Sequence, residues 1–282
     1  MDEQKYAISE YHDTKAVYEK LNNLVSQPMR PVRRDRMQEF LAQIDTRCKR
    51  SKELSDEAKK LIPGGVQHNL AFNYPFPLAI EKTEGAYLWD VDGNRYIDFL
   101  QAGGPTVLGS NYAPVRQKVF ELLESCGPVT GLFHEYELKL AQLVNRLMPA
   151  VEMFRMLGSG TESVMAAIRA ARTFTKKRAV IKVGGAYHGW SDSMVYGLHI
   201  PGTGRLESTG IPYGATAGTS EFYPNSLAAL KRHLIANLLS GGTAAVIVEP
   251  LGPESGTRPV PFDFNQKVRE LCDEFGALLI FD

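Results

Sequence analysis

Leu157-Gly158-Ser159-Gly160-Thr161-Glu162-Ser163 is the stretch of this sequence best suited to holding an anion. Met153-Phe154-Arg155-Met156 before it is apolar enough for a short strand. Val164, Ala167, Ile168 and Ala171 after it recur at helical spacing. A glycine-rich turn that joins a strand to a helix start leaves backbone N–H groups unpaired at the positive end of the helix dipole. Ser159 and Thr161 add hydroxyls, and the glycines let a phosphate approach the backbone. The same residues also suit an ordinary helix cap, so the turn alone leaves both readings open. No Gly-Lys-Ser/Thr follows, which excludes a Walker loop, and the third glycine of the dinucleotide fingerprint is missing.

Three further runs bear on the choice. Ala179–Val183 reads as a buried strand and leads into Gly184-Gly185-Ala186-Tyr187-His188-Gly189. Ala244–Val248 and Ala277–Phe281 read as apolar strands, followed by Glu249 and Asp282. Open α/β sheets bind ligands at the carboxyl ends of their strands. A phosphate turn, an aromatic plate and an acid gathered there suit a phosphorylated, planar, nitrogen-containing cofactor.

The ordered set Gly-Ser-Gly-Thr-Glu-Ser (158–163), Tyr-His-Gly (187–189), Val-Glu-Pro (248–250) and Leu-Ile-Phe-Asp (279–282) resembles the class III aminotransferases. These are pyridoxal-phosphate enzymes of fold type I. The resemblance runs from about residue 60 to 282 and points to the glutamate-1-semialdehyde aminomutase-like branch. It implies an α/β fold with a mostly parallel sheet, flanking helices and a small N-terminal α+β segment. It also implies pyridoxal 5'-phosphate as cofactor, a small-molecule amino donor and carbonyl acceptor, and a cytoplasmic homodimer. By the same resemblance Ser159, Gly160 and Thr161 bind the phosphate, Tyr187 stacks on the ring, and His188 lies close by. Asp282 stands beside the ring nitrogen, where its charge keeps that nitrogen protonated. Glu254 sits near the ring oxygen, a place that holds asparagine in the aminomutases and glutamate in several ω-aminotransferases. Glu249 fixes a strand end.

Departures from the aminomutase pattern favour transamination. Leu70 stands where an arginine is expected, in a segment one residue shorter, and Gly103 replaces a tryptophan. Pro253 replaces a glycine in the Glu254 loop. Lys176, Lys177 and Lys182 match no family position. The resemblance puts the Schiff-base lysine after Asp282, so the sequence reads as the front part of a longer chain, without turnover of its own.

The elements that must carry these residues alternate strand and helix from about residue 150, which means a parallel sheet with right-handed crossovers. Residues 111–282 are thus assigned to the large cofactor-binding domain. Residues 61–110 form a small-domain part, with strand-like runs at 84–90 and 95–99 around the hairpin turn Asp92-Gly93. The hairpin also accounts for Asp90, Asp92 and Asn94, whose glycine spacing does not fit an EF-hand. Residues 1–60 are a charged helical extension of three helices, the third including Leu54, Ala58 and Leu61. Its Arg30, Arg33, Arg34 and Arg36 are interleaved with acids and read as a solvated face. Helices are expected at 115–124, 135–147, 227–239 and 264–275. The stretch 197–225 reads as a long irregular loop that gates the site or meets a partner subunit.

Composition narrows the classes. Lys plus Arg and Asp plus Glu balance at 32 each, giving a net charge of zero and no field for nucleic acid or an anionic membrane. The three cysteines are too few and too scattered for a disulfide scaffold or a zinc site. His134-Glu135 has no second histidine at metal spacing. No apolar run reaches the length of a membrane span, and the polar N-terminus is no secretory signal.

Overall fold

The structure is a computed structural model that describes residues 13–128, 131–195, 197, 209–212 and 214–282. In chain order the main elements are helices α1 (Thr14–Val25), α2 (Arg34–Arg47) and α3 (Lys49–Ala58), then strands β1 (Ile80–Glu84), β2 (Tyr87–Asp90) and β3 (Arg95–Ile97). Helices α4 (Ala113–Ser125), α5 (Glu135–Leu147) and α6 (Gly160–Thr175) follow. The last part runs β4 (Ala179–Val183), β5 (Thr219–Phe222), α7 (Leu227–Leu238), β6 (Thr243–Val248), the single turn α8 (Pro253–Gly256), α9 (Phe264–Phe275) and β7 (Leu278–Phe281). The chain divides into two compact units. One joins the described residues up to Gln27 to Ala141–Asp282, and the other is Pro28–Leu140.

The first unit is built on a four-stranded sheet in the order β5-β4-β6-β7, with every pair parallel. All six residues of β6 are buried, as a central parallel strand covered on both faces requires. Alternation along β4 sorts the two faces. Val180 packs with Val164 and Ile168 of α6, and Ile181 packs with Leu230 and Leu234 of α7 and Val268 of α9. The α1 helix meets the same unit through Tyr18, whose hydroxyl donates to the Pro259 carbonyl at 3.3 Å.

The second unit holds a three-stranded antiparallel sheet, β1-β2-β3. Its turn acids explain its shape. Asp90 is fully buried and accepts from the Asn94 amide at 2.8 Å, the Asp92 amide at 3.0 Å and the Tyr96 hydroxyl at 2.7 Å. Burial pushes its pKa up, but the Asn94 and Tyr96 side chains and the backbone amides outweigh this and hold it below the usual carboxylate value. Asp92 accepts from the Arg50 and Ser51 amides at 2.7 and 3.0 Å, so the hairpin caps the start of α3.

Four expectations need correction. Met153–Met156 is not a strand. No neighbouring strand among the described residues supplies a ladder, and Met153 and Met156 are exposed. The run 84–90 is broken at Gly85, whose positive φ of 56° turns the chain between β1 and β2. β1 itself, polar and exposed, carries no apolar alternation to announce it. The third helix ends at Ala58, and Leu61 is exposed beyond it. The stretch 197–225 is not wholly irregular. It contains β5, an edge strand whose Thr-Ser-Glu-Phe composition hides its period. Residues 198–208 and 213, to which most of the gating expectation attached, lie outside the described residues.

Candidate active site

The carboxyl ends of β4, β6 and β7 lie along one edge of the parallel sheet, because the three strands are parallel and in register. Asp282 follows β7 directly, and its amide donates to the Val248 carbonyl at 3.0 Å. Its carboxylate meets the ring of His188 from the turn after β4, with Oδ2 2.6 Å from Nδ1. His188 is completely buried and its Nε2 has no hydrogen-bond partner among the described residues. The other Asp282 oxygen makes no hydrogen bond among the described residues, and the side chain is 29% exposed. The histidine therefore fixes the carboxylate from one side and leaves it an open oxygen on the other.

At the start of α6, Ser159 is the N-cap. Its Oγ accepts from the Glu162 amide at 3.2 Å and donates to Glu162 Oε2 at 3.3 Å. The amides of Gly160 and Thr161 have no acceptor among the described residues, and a Cβ placed on Gly160 would meet open space. Two free N–H groups at a helix start with room before them fit a phosphate.

Gly189 joins the turn after β4 to this helix start. A Cβ there would lie 2.6 Å from Thr161 Oγ1 and 2.7 Å from Thr161 Cα. The Trp190 amide donates to Thr161 Oγ1 at 3.4 Å. Lys182, buried in β4, donates from Nζ to the carbonyls of Ala186 at 2.9 Å and Met194 at 3.2 Å. It thereby closes the loop that carries Tyr187 and His188. The Tyr187 side chain is 53% exposed, so a face of its ring is open to a ligand.

Glu249 fixes two loops at once. Its Oε1 accepts from the Tyr187 amide at 3.1 Å and the Glu254 amide at 3.0 Å. Glu254 sits in the left-handed region with φ of 52°, a conformation that costs a non-glycine residue about 1–2 kcal/mol. The loop before it turns on Gly252, where a Cβ would meet the Arg258 carbonyl oxygen at 2.1 Å.

The structure thus brings Tyr187, His188 and Asp282 together at one sheet edge, with Thr161 against Gly189 and Glu254 tied to Tyr187 through Glu249. It gives the Ser159 hydroxyl a capping partner. Sequence reasoning did not single out the close approach at Gly189 or the double role of Glu249. Only the glycine after Tyr-His hinted at the first, and a carboxylate at a strand end is too common to reveal the second. Among the described residues no group of three His, Cys, Asp or Glu side chains is placed to hold a metal ion.

The free amides, the open aromatic face and the spare carboxylate oxygen fit a phosphorylated aromatic cation. Comparison with known proteins agrees. Residues 70–282 match the model of the aminotransferase class-III family. A glutamate-1-semialdehyde 2,1-aminomutase of Chlorobium limicola is 39% identical over 238 residues, which cover 83% of this chain and 55% of that protein. A solved transaminase with pyridoxal phosphate bound superposes with a TM-score of 0.75 at 29% identity, covering 83% of this chain and 55% of the other. The β-phenylalanine aminotransferase of Variovorax paradoxus gives a TM-score of 0.72 at 30% identity, covering 86% and 53%. The chain spans about half the length of the curated relatives that it matches. Its sheet and covering helices are those of the fold type I pyridoxal-phosphate transferases, and the chain belongs to the class-III aminotransferase family.

Proposed function

We propose that this chain forms the cofactor-binding part of a pyridoxal-phosphate-dependent aminotransferase, which moves an amino group from an amino acid or amine to a keto acid or aldehyde. The observation that carries the reading is the pairing of buried His188 with the partly exposed Asp282 carboxylate at the sheet edge that also bears the open α6 start. When bound, pyridoxal phosphate supplies an electron sink for the bonds at the carbon that bears the amine. The chain's residues prepare its place. Gly160 and Thr161 donate amides to the phosphate, Ser159 keeps the helix start rigid, and Tyr187 offers its ring face. Asp282, oriented by His188, holds a proton on the ring nitrogen by charge attraction. Glu254 stands by the ring oxygen, and Glu249 holds both it and the Tyr187 backbone in place.

The similarity to an aminomutase favours a second reading, amino transfer within one molecule. The two departures from that pattern weigh against it, and they meet in the structure. A Cβ at Gly103 would lie 3.0 Å from Leu70 Cδ1, so an aliphatic contact occupies a place where arginine and tryptophan were expected. A homodimer and a cytoplasmic location complete the proposal. Among the described residues no helix is long and apolar enough to cross a membrane.

The test combines spectroscopy with a donor screen. Added pyridoxal phosphate should give a saturable absorbance change that Asp282→Asn weakens at least about tenfold, as loss of a charge-assisted hydrogen bond predicts. A protein that joins this chain to a Schiff-base lysine should then transfer nitrogen from amines or amino acids to a 2-oxo acid. Failure to bind the cofactor, or binding indifferent to Asp282→Asn, overturns the reading.

A further inference from the structure

The opposite edge of the same sheet carries a second feature, unrelated to the site above. Around the amino ends of β4 and β5 lies a cavity of about 560 Å³, lined in part by Arg172, Arg178, Gly218, Thr219 and Asn237. The five residues of β4 separate it from the Tyr187 turn, roughly 15 Å at the ordinary rise of a strand. Two arginines line one hollow, and no Asp or Glu is among its described lining residues.

Neither guanidinium pairs with an acid among the described residues. Arg172 is half-buried, and the one hydrogen bond of its side chain among them runs from Nε to the Arg178 carbonyl at 2.9 Å. Its Nη2 stands over Gly218, 3.3 Å from where a Cβ would sit, so a side chain there would crowd it. Arg178 forms no side-chain hydrogen bond or ion pair among the described residues. In contrast, most other paired cations of the chain meet an acid within one turn of helix, as Lys139 does with Glu135 at 3.0 Å. Two lining hydroxyls, Thr219 Oγ1 and Ser220 Oγ, are shut off from solvent without a hydrogen-bond partner. On alternate faces of β5, one of the two lies on the same side as Arg172.

Two like charges held close in a concave site repel each other unless an anion lies between them. Guanidinium N–H groups pair best with a planar or tetrahedral oxyanion. We propose that this cavity binds a phosphate group, either as inorganic phosphate or as the head of a small phosphomonoester, with Arg172 and Arg178 as the charged donors. The volume exceeds what a phosphate alone fills, so it admits the ester. The inference does not rest on the proposed amino transfer.

Calorimetric titration of the cofactor-loaded chain tests it, with inorganic phosphate and glycerol 3-phosphate as probes and potassium chloride at equal ionic strength as the control. Saturable binding is expected for at least one probe. Saturation by inorganic phosphate assigns the free ion, and saturation by the ester alone assigns a phosphomonoester. Arg172→Gln and Arg178→Gln should each weaken binding about tenfold or more. The Arg178 side chain is exposed and unbonded, so its variant folds even if loss of the Arg172–Arg178 bond loosens the other. Binding that appears only in cofactor-free protein belongs to the α6 start and overturns the proposal. So does an absence of saturation by both probes, or an affinity that Arg178→Gln leaves unchanged.

Discussion

Replacing Gly189 by alanine tests whether the turn after β4 is pressed against the α6 start for a reason. The residue has φ of +81°, which costs an L side chain about 1–2 kcal/mol. The new Cβ would also lie 2.7 Å from Thr161 Cα, a backbone atom that cannot swing aside. Carbon atoms prefer about 3.5–4.0 Å, so the two segments must part by roughly 0.8 Å or more. Such overpacking costs about 1–3 kcal/mol, and with the backbone penalty the total is about 2–5 kcal/mol. Gly93→Ala is the control. It has nearly the same φ, +83°, but open space around the Cβ. Thermal unfolding should show Gly189→Ala less stable than Gly93→Ala by about 1–3 kcal/mol, the overlap alone. Cofactor titration should separate them further, because parting the segments moves the Gly160 and Thr161 amides away from Tyr187 and His188. Equal unfolding temperatures, with wild-type cofactor affinity in Gly189→Ala, would refute the argument.

Other outcomes follow from the same geometry. Glu249→Ala removes the acceptor of two backbone amides and should broaden and weaken the visible circular dichroism of bound cofactor, whereas Glu249→Gln, which keeps an oxygen, should restore most of it. Asp90→Asn should cost about 1–3 kcal/mol in denaturant unfolding, since a buried acceptor of several donors becomes partly a donor. Because the Asp90 pKa is lowered on folding, its contribution is present above the unfolded value of about 3.9 and lost as pH falls through the folded one. The fall in stability below about pH 4 should therefore be shallower in Asp90→Asn. The Cys272 thiol is pushed up to about 11 by burial. At pH 8 a thiol reagent should label Cys126, which is exposed, in the native protein, and Cys48 and Cys272 only after unfolding.

The fold was legible where burial and period agree. The runs Ala244–Val248 and Ala277–Phe281 are continuous apolar stretches and Ala179–Val183 is broken only by Lys182, and strands β6, β7 and β4 lie in these three runs. It was not legible where a strand is defined by its neighbours. Thr219–Phe222 is polar because it sits at the sheet edge, and the ladder with β4 makes it a strand. Conversely, Met153–Met156 has the composition of a strand but no partner among the described residues. The site followed the same division. Spacing after each strand located Tyr187, His188 and Asp282, since parallel strands bring their ends together whatever the loop lengths. The contacts of Gly189 with Thr161 and of Glu249 with the Tyr187 amide join segments far apart along the chain, and local sequence cannot show them.

Ser159 shows why two readings of one turn need not compete. Its hydroxyl is engaged by the Glu162 amide and lies beside the Glu162 carboxylate, which is the ordinary work of a cap. That cap satisfies the third amide of α6 and stops the first turn from fraying. The first two amides, at Gly160 and Thr161, stay unpaired and point out of the helix start. A helix that capped all of them would have nothing left to offer an anion, and one that capped none would present a frayed and mobile end. Glu162 adds a negative charge close to the turn, which favours the helix dipole but opposes a phosphate. The turn must therefore keep Glu162 engaged with Ser159 for the anion to be welcome, and a Cβ on Gly158 would collide with that carboxylate at 2.6 Å. The absence of a side chain at Gly158 is what lets the glutamate fold back onto the cap.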